Sequence, residues 1–305
     1  MTPGGVLVAG GTGFIGSHLL PVLLARGHDV WVWSRHPRKA RGVATAARVI
    51  GALDEIPPDT NISHIVNLAG APVVGPPWTR ARRQLLIDSR VQPTAALLAW
   101  STARKHRPQA VLSASAIGYY GGRGEEWLDE RSTAGVGQFQ SQICEQRETA
   151  ANEAVQLGMR AVNLRFGLVL GADGGILSRL TFAANLGGAA VLGDGRQWMS
   201  WIHVDDAVRA IELALDDSTL GGPVNLVAPE PVRQRDFQHA LTRALHRPLW
   251  LRVPAGMLRL ALGEMSDLLL RSQRVRPDVL RSRGFEFGFP DIETALRALV
   301  RPERS

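Results

Sequence analysis

Val6-Leu7-Val8-Ala9-Gly10-Gly11-Thr12-Gly13-Phe14-Ile15-Gly16 sets the architecture of this chain. Its apolar first half reads as a strand, and glycines follow at positions 10, 13 and 16. A helical pattern then begins, with Leu19, Leu20, Leu23 and Leu24 on one face. Each glycine has its own task. Gly10 turns the chain sharply off the strand, Gly13 admits a pyrophosphate close to the backbone, and Gly16 lets the helix pack tightly. The free N–H groups and positive dipole end of that helix then face the phosphates. A glycine triplet alone is weak, but between a strand and a helix it predicts a bound dinucleotide.

From this turn onward, strand and helix patterns alternate. Strands are expected at Val30–Trp33, Ala47–Ile50, Ile62–Leu68, Ala110–Ser113 and Ala161–Arg165, and helices over 14–26, 79–104 and 138–157. Such alternation implies a parallel sheet covered on both faces. After Gly167 the pattern loosens. A short helix is expected around 176–186, a strand–helix unit over 199–216, and a strand at Pro223–Val227. Helices follow at 233–245, 254–271 and 291–300. The fold class is therefore α/β: a Rossmann-type doubly wound parallel sheet with a smaller C-terminal substrate lobe. Residues 1–170 and 200–228 are assigned to the nucleotide domain, and 171–199 and 229–305 to the lobe.

Composition narrows the function. At 305 residues and 45% apolar content, the chain has material for a large core. No apolar run approaches the roughly 18 residues of a membrane span, and the N-terminus enters its first strand without a signal-peptide pattern. No membrane partner is expected. One cysteine, Cys144, excludes an internal disulfide and a cysteine-based zinc site, and no metal is expected. A cytoplasmic protein fits these features. The net charge of +7 invites a nucleic-acid reading, but the arginines are scattered and no nucleic-acid-binding motif accompanies them. The group Arg271, Arg274, Arg276, Arg281 and Arg283 reads as a solvated helix face.

The densest basic cluster, Arg35, Arg38, Lys39 and Arg41, follows the second strand, where the adenosine ribose would lie. An acidic residue there favours NAD; Ser34-Arg35 stands there instead, and an arginine pairs with a 2′-phosphate. NADP(H) is the expected cofactor. Thr12, Phe14 and Ile15 join the glycines of the turn, and Leu68, Ala69 and Gly70 bring backbone close to the cofactor at the fourth strand's exit. Ser113-Ala114-Ser115-Ala116-Ile117-Gly118-Tyr119-Tyr120-Gly121 leaves the fifth strand, at the sheet edge where open α/β folds bind ligands.

Together these segments resemble the extended short-chain dehydrogenase/reductase superfamily, in an epimerase-like branch with its own C-terminal domain. The resemblance also rests on Asp-Ser-Arg-Val at 88–91, Leu-Arg-Phe-Gly-Leu-Val-Leu-Gly at 164–171 and Gly-Arg-Gln-Trp-Met-Ser-Trp-Ile-His-Val-Asp-Asp at 195–206. Val-Pro-Ala at 253–255, Leu-Gly-Glu-Met at 262–265 and Gln-Arg-Val at 273–275 are similar to the branch-specific domain. The resemblance implies that Ser115 bonds the reacting carbonyl or hydroxyl, and that Arg90, Arg165, Gly167 and Val169 lie along the cofactor. It also implies a homodimer through 79–104 and 138–157.

The superfamily's usual chemistry needs a tyrosine and, four residues later, a lysine that lowers its pKa. This chain has no Tyr-x-x-x-Lys: its two tyrosines are Tyr119 and Tyr120, and its lysines are Lys39 and Lys105. Ile143 and Arg147 take the dyad's positions. Arg147 retains the ability to hold a ribose hydroxyl or phosphate, whereas Ile143 cannot transfer a proton. Tyr119 is the candidate acid on the Ser115 loop, with a packed aromatic as its alternative. Cys144 reads as a small core residue and Glu148 as a solvated helix position. Asp205 reads as a helix cap, and Trp198 and Trp201 as either cleft or core. Two functions follow: an NADP(H)-dependent, epimerase-like oxidoreductase acting on an unknown small substrate, or a non-catalytic NADP(H) sensor.

Overall fold

A computed structural model describes residues 4–43 and 46–300; the outer ends of the two expected domains, 1–3 and 301–305, lie outside these residues. Seven parallel strands form the central sheet: β1 (Gly5–Ala9), β2 (Val30–Trp33), β3 (Arg48–Ile50), β4 (Ile62–Asn67), β5 (Ala110–Ala116), β7 (Arg160–Phe166) and β12 (Gly222–Leu226). The spatial order is β12-β7-β5-β4-β1-β2-β3. The chain therefore runs outward from β1 to β3, then returns to β4 and runs the other way. That reversal places a crevice at the carboxyl ends of β1 and β4, where doubly wound sheets bind nucleotides.

The strands are buried on both faces, so they read as apolar runs and not as alternations. In β1, Val6 and Val8 enter one core with Leu19, Leu20 and Leu23 of α1 (Phe14–Ala25) and Ala207 and Ile211 of α6 (Val204–Asp216). Leu7 and Ala9 enter the opposite core with Leu97 and Leu98 of α3 (Arg80–Thr102) and Ala154 of α4 (Phe139–Gln156). A short helix, α2 (Pro37–Val43), carries part of the basic cluster after β2.

The smaller lobe has a third core. Trp201, Phe237, Leu241 and Leu296 close it between α5 (Gly175–Asn185), α7 (Gln234–Leu245) and α11 (Ile292–Val300). Four two-stranded ribbons stitch it together: β8 (Leu168–Gly171) with β11 (Trp201–His203), β9 (Ala190–Leu192) with β14 (Leu251–Val253), β10 (Trp198–Met199) with β13 (Val232–Arg233), and β6 (Trp127–Leu128) with β15 (Arg274–Val275).

Two expectations give way here. The helix expected over 254–271 is broken into α8 (Ala255–Leu262), a 3₁₀ turn over Gly263–Ser266 and α9 (Asp267–Leu270). Gly263, at φ 55°, supplies the left-handed residue that stops α8. The arginines at 271–283 do not share a helix face either. Arg271 pairs with Asp267, Arg274 lies over the rings of Trp127 and Trp198, and Arg276 pairs with Asp129 and Asp278. Arg271 ends α9, whereas Arg281 and Arg283 belong to or border a different helix, α10 (Asp278–Ser282), and Arg283 pairs with Asp217. Tertiary partners decide their positions. Among the described residues no helix is long and apolar enough to cross a membrane.

Candidate functional site

The glycine turn leaves β1 at Gly10, whose φ is 77°. A Cβ there would stand 2.7 Å from the backbone of Leu68 and Ala69, so only glycine lets the turn lie against the β4 exit. A Cβ on Gly16 would meet the Gly11 carbonyl oxygen at 2.5 Å, so the helix begins in contact with the turn itself. Gly13 differs. A Cβ on it would meet only the Gly10 carbonyl oxygen within 4 Å, and Thr12 and Gly13 are exposed. Gly13 caps α1 without a side-chain hydrogen bond, and no acid lies in the first turn. The N–H groups of Phe14, Ile15 and Gly16 therefore present an uncapped positive helix end beside an open approach.

At the exit of β2, Ser34 accepts a hydrogen bond from the His36 N–H at 3.2 Å, which turns the chain beside the crevice. Arg35, Arg38, Lys39 and Arg41 are all exposed, and among the described residues none is paired with a carboxylate. This edge of the crevice is positive.

The β4 exit forms the opposite wall. Asn67 is fully buried: its side chain donates to Thr94 at 2.9 Å and accepts from the Ala69 N–H at 3.1 Å. Arg90, on α3, donates to the carbonyl oxygens of Leu86 and Ala71 at 2.9 and 3.0 Å. Its guanidinium lies close over Gly70, where a Cβ would sit 3.2 Å from Arg90 Cζ. Arg147 reaches in from α4, 5% exposed, and donates to the Asn67 carbonyl oxygen at 2.7 Å and to Ser113 Oγ at 3.3 Å. Both partners are neutral, and among the described residues no carboxylate pairs with it. Burial, then the neighbouring Arg90, pushes the Arg147 pKa down to about 9. Burial lowers that of Arg90 as well. Two guanidinium groups thus stand near each other at the crevice without a paired acid.

Ser115 ends β5 directly beside Arg165 of β7, its register partner. The Ser115 hydroxyl donates to Glu148 Oε1 at 2.6 Å. Arg165 grips the same carboxylate with two bonds, Nε to Oε1 at 2.9 Å and Nη2 to Oε2 at 2.8 Å. Its remaining nitrogen donates to the Tyr120 hydroxyl at 3.0 Å, and that hydroxyl donates to Asn225 Oδ1 at 2.7 Å. Burial opposes the charge on Arg165, yet the Glu148 bonds hold its pKa above the usual arginine range. Tyr119 lays its ring over this guanidinium, 3.5 Å from Cζ to centroid. Ile143, 5% exposed, packs with Leu86 and Phe139, so its position contributes apolar surface and no proton.

Glu148 therefore corrects the expectation of a solvated helix position: it is 6% exposed and ion-paired. Arg165, a charge in a buried central strand, signals that a buried partner exists, but the sequence does not say which residue supplies it. Arg165 lies with its guanidinium engaged by Glu148 and Tyr120, while Gly167 and Val169 are half-buried, Val169 paired with Ile202 of β11. A Cβ on Gly167 would strike the Ser200 carbonyl oxygen at 2.7 Å.

Other residues settle into structural positions. Cys144 is buried beside Ser115, and burial pushes its thiol up to about 11. Asp205 does not cap α6. The cap is His203, whose Nδ1 accepts from the Asp205 N–H at 3.1 Å, because its ring is held in a stack on Phe289 at 3.8 Å. Asp206 is buried and accepts from the N–H groups of Gly288 and Phe289 at 2.8 and 2.9 Å. Trp201 is wholly buried in the lobe's core, whereas Trp198 is half-buried between Arg233 and Arg274.

Residues 6–226 match the NAD dependent epimerase/dehydratase family, and residues 253–299 match a domain of unknown function, DUF1731. Epimerase family protein YfhF of Bacillus subtilis is 35% identical, the match covering 98% of this chain and 99% of that protein. Epimerase family protein Mb2239 of Mycobacterium bovis is 39% identical, with 97% and 98% covered. The crystal structure of human epimerase family protein SDR39U1 (isoform 2) with NADPH is similar at 28% identity, with a TM-score of 0.87 and coverage of 97% and 99%. Thermus thermophilus UDP-glucose 4-epimerase, solved with NAD, shares the fold at a TM-score of 0.80 and 21% identity, covering 97% of both chains.

Proposed function

Because this chain belongs to the NAD dependent epimerase/dehydratase family, we propose that it is an NADP(H)-dependent, epimerase-like oxidoreductase acting on a small organic substrate. The observation that carries this reading is the charge layout of the crevice. An uncapped helix end lies between the unpaired basic cluster after β2 and the buried Arg147 with Arg90. Such a surface complements a dinucleotide with an additional phosphate on its adenosine ribose. NADPH in the human relative's crystal structure supports the same choice.

The residues fit the cofactor without rearrangement at the turn. Gly13 leaves the approach to the α1 N–H groups open, and the residues from Leu68 to Gly70 offer backbone opposite it. Arg35 is the 2′-phosphate partner, and Arg147 and Arg90 hold the ribose–phosphate side. When bound, the nicotinamide ring supplies the hydride acceptor or donor. Ser115 orients the reacting group, and Tyr119, whose ring is fixed on Arg165, is the nearby phenol for proton transfer.

Titration of NADPH and NADH against wild type and Arg35→Ser tests the assignment. NADPH should bind wild type more tightly by about tenfold or more, and the substitution should erase the difference, as expected for one charge-assisted phosphate contact. Equal wild-type affinities overturn it.

Ile143 in the tyrosine's place favours one second reading, a sensor that binds NADP(H) without turnover. The two differ in cofactor fate. An enzyme given a small-molecule cell extract changes the redox state of bound cofactor; a sensor leaves it unchanged.

A further inference from the structure

Ser115 is a hydroxyl whose hydrogen already has a destination. A carboxylate gripped through both oxygens by a guanidinium has no hydrogen to offer, so at 2.6 Å the bond between Ser115 and Glu148 has one polarity only. Ser115 donates. The length is that of a charge-assisted O–H···O⁻ bond, about twice as strong as a neutral one, which makes rotation of that hydrogen toward the crevice costly. Glu148 cannot swing away, because Arg165 is itself fixed by Tyr120 at 3.0 Å and by the Tyr119 ring stacked on it. The thiol of Cys144, kept protonated by burial, adds a weak donor beside Ser115 and no competing acceptor of comparable strength.

Ser115 is half-buried at the carboxyl end of β5, the sheet edge at which doubly wound sheets bind their ligands. What it presents there is lone pairs. We propose that Glu148 is a positioning residue that makes Ser115 a hydrogen-bond acceptor only, so that the substrate group docking against it is a hydroxyl and not a carbonyl oxygen. A carbonyl in that position would set lone pairs against lone pairs, leaving a desolvated acceptor without a partner. The inference rests on the oxidoreductase reading and deepens it: the substrate class is an alcohol, met by the oxidised cofactor.

The test uses the full chain saturated with NADP⁺ and a matched pair of probes, cyclohexanol and cyclohexanone, titrated by ligand-observed NMR. The alcohol should bind wild type about tenfold more tightly than the ketone, the size of one satisfied against one unsatisfied polar contact. Ser115→Ala should weaken the alcohol to the level of the ketone. Glu148→Leu combined with Arg165→Met replaces the ion pair by apolar side chains, a change that buried pairs tolerate, and frees the Ser115 hydroxyl to rotate. This double variant should raise ketone affinity relative to alcohol affinity and so close the gap between the two probes. A purely structural Glu148 would lower both together. Ketone preference, equal affinity or binding of neither probe by NADP⁺-loaded wild type overturns the inference. Failure of NADP⁺ to bind at all overturns the function reading beneath it, so the two failures are separable.

Discussion

Arg147 and Glu148 are adjacent on α4, and their environments have opposite consequences. Glu148 meets Arg165, so each buried charge has its counter-charge, and removing one partner alone should cost about 3–5 kcal/mol. Arg147 meets only a carbonyl oxygen and a hydroxyl, and the neighbouring Arg90 repels it. A buried guanidinium without a counter-charge is unfavourable in the empty protein and favourable once an anion arrives. Arg147→Met should therefore stabilise the cofactor-free protein, raising its Tm by roughly 2–4 °C for each kcal/mol relieved. The same change should weaken NADPH binding. Differential scanning fluorimetry with and without NADPH reads both effects, and a lower Tm in the cofactor-free variant contradicts the assignment of Arg147 as a ligand-facing charge.

The element that ties the lobe to the sheet is α6. It starts at Val204, directly after β11 with His203 as its cap, and packs against α1 through an apolar face that includes Ala207 and Ile211. From its first turn Asp206 reaches the N–H groups of Gly288 and Phe289, together with Arg209. One buried carboxylate thus anchors the segment leading into α11, whose Leu296 completes the lobe's core. Asp206→Ala leaves two backbone donors without their charged acceptor, at a cost of about 2–4 kcal/mol. Urea denaturation should show that loss, with faster hydrogen exchange concentrated over residues 285–300. Unchanged exchange there would show that the segment is held by its apolar contacts alone.

At the scale of the molecule, the cofactor turn and the lobe meet through Phe14. Its ring fills a nest made by Gly171, Gly174 and Gly175; a Cβ on any of these would come within 2.6–3.0 Å of the ring. His18, one turn further along α1, reaches Asp173 at 3.0 Å. The helix whose N-terminus opens from the glycine turn is therefore keyed into the loop that starts α5. Gly174→Ala should displace Phe14 and weaken NADPH binding, although residue 174 lies outside the glycine turn. Hydrogen exchange should show NADPH protecting residues 171–175 as well as 10–16. Protection confined to the turn would mean that the nest is packing without coupling.

Local pattern made the framework legible. Every strand of the parallel sheet was expected within a few residues, because buried β-branched runs and glycine exits are properties of short segments. The glycine turn, the basic cluster after β2 and the missing tyrosine–lysine pair are likewise readable by position and count. The single helix expected over 254–271 is divided, since Gly263 at positive φ stops its first half. The cap at His203 and the pairing of Glu148 were beyond sequence reasoning. The first depends on Phe289, and the second on Arg165 from another strand. The sequence by itself determined the sheet, the turn and the cofactor class, because these follow from neighbours along the chain. Only the tertiary structure decided that Ser115 turns its hydrogen inward to Glu148 while Arg147 keeps an unpaired charge at the crevice. The physical reason is that hydrogen-bond polarity and charge compensation depend on partners brought together from distant parts of the chain.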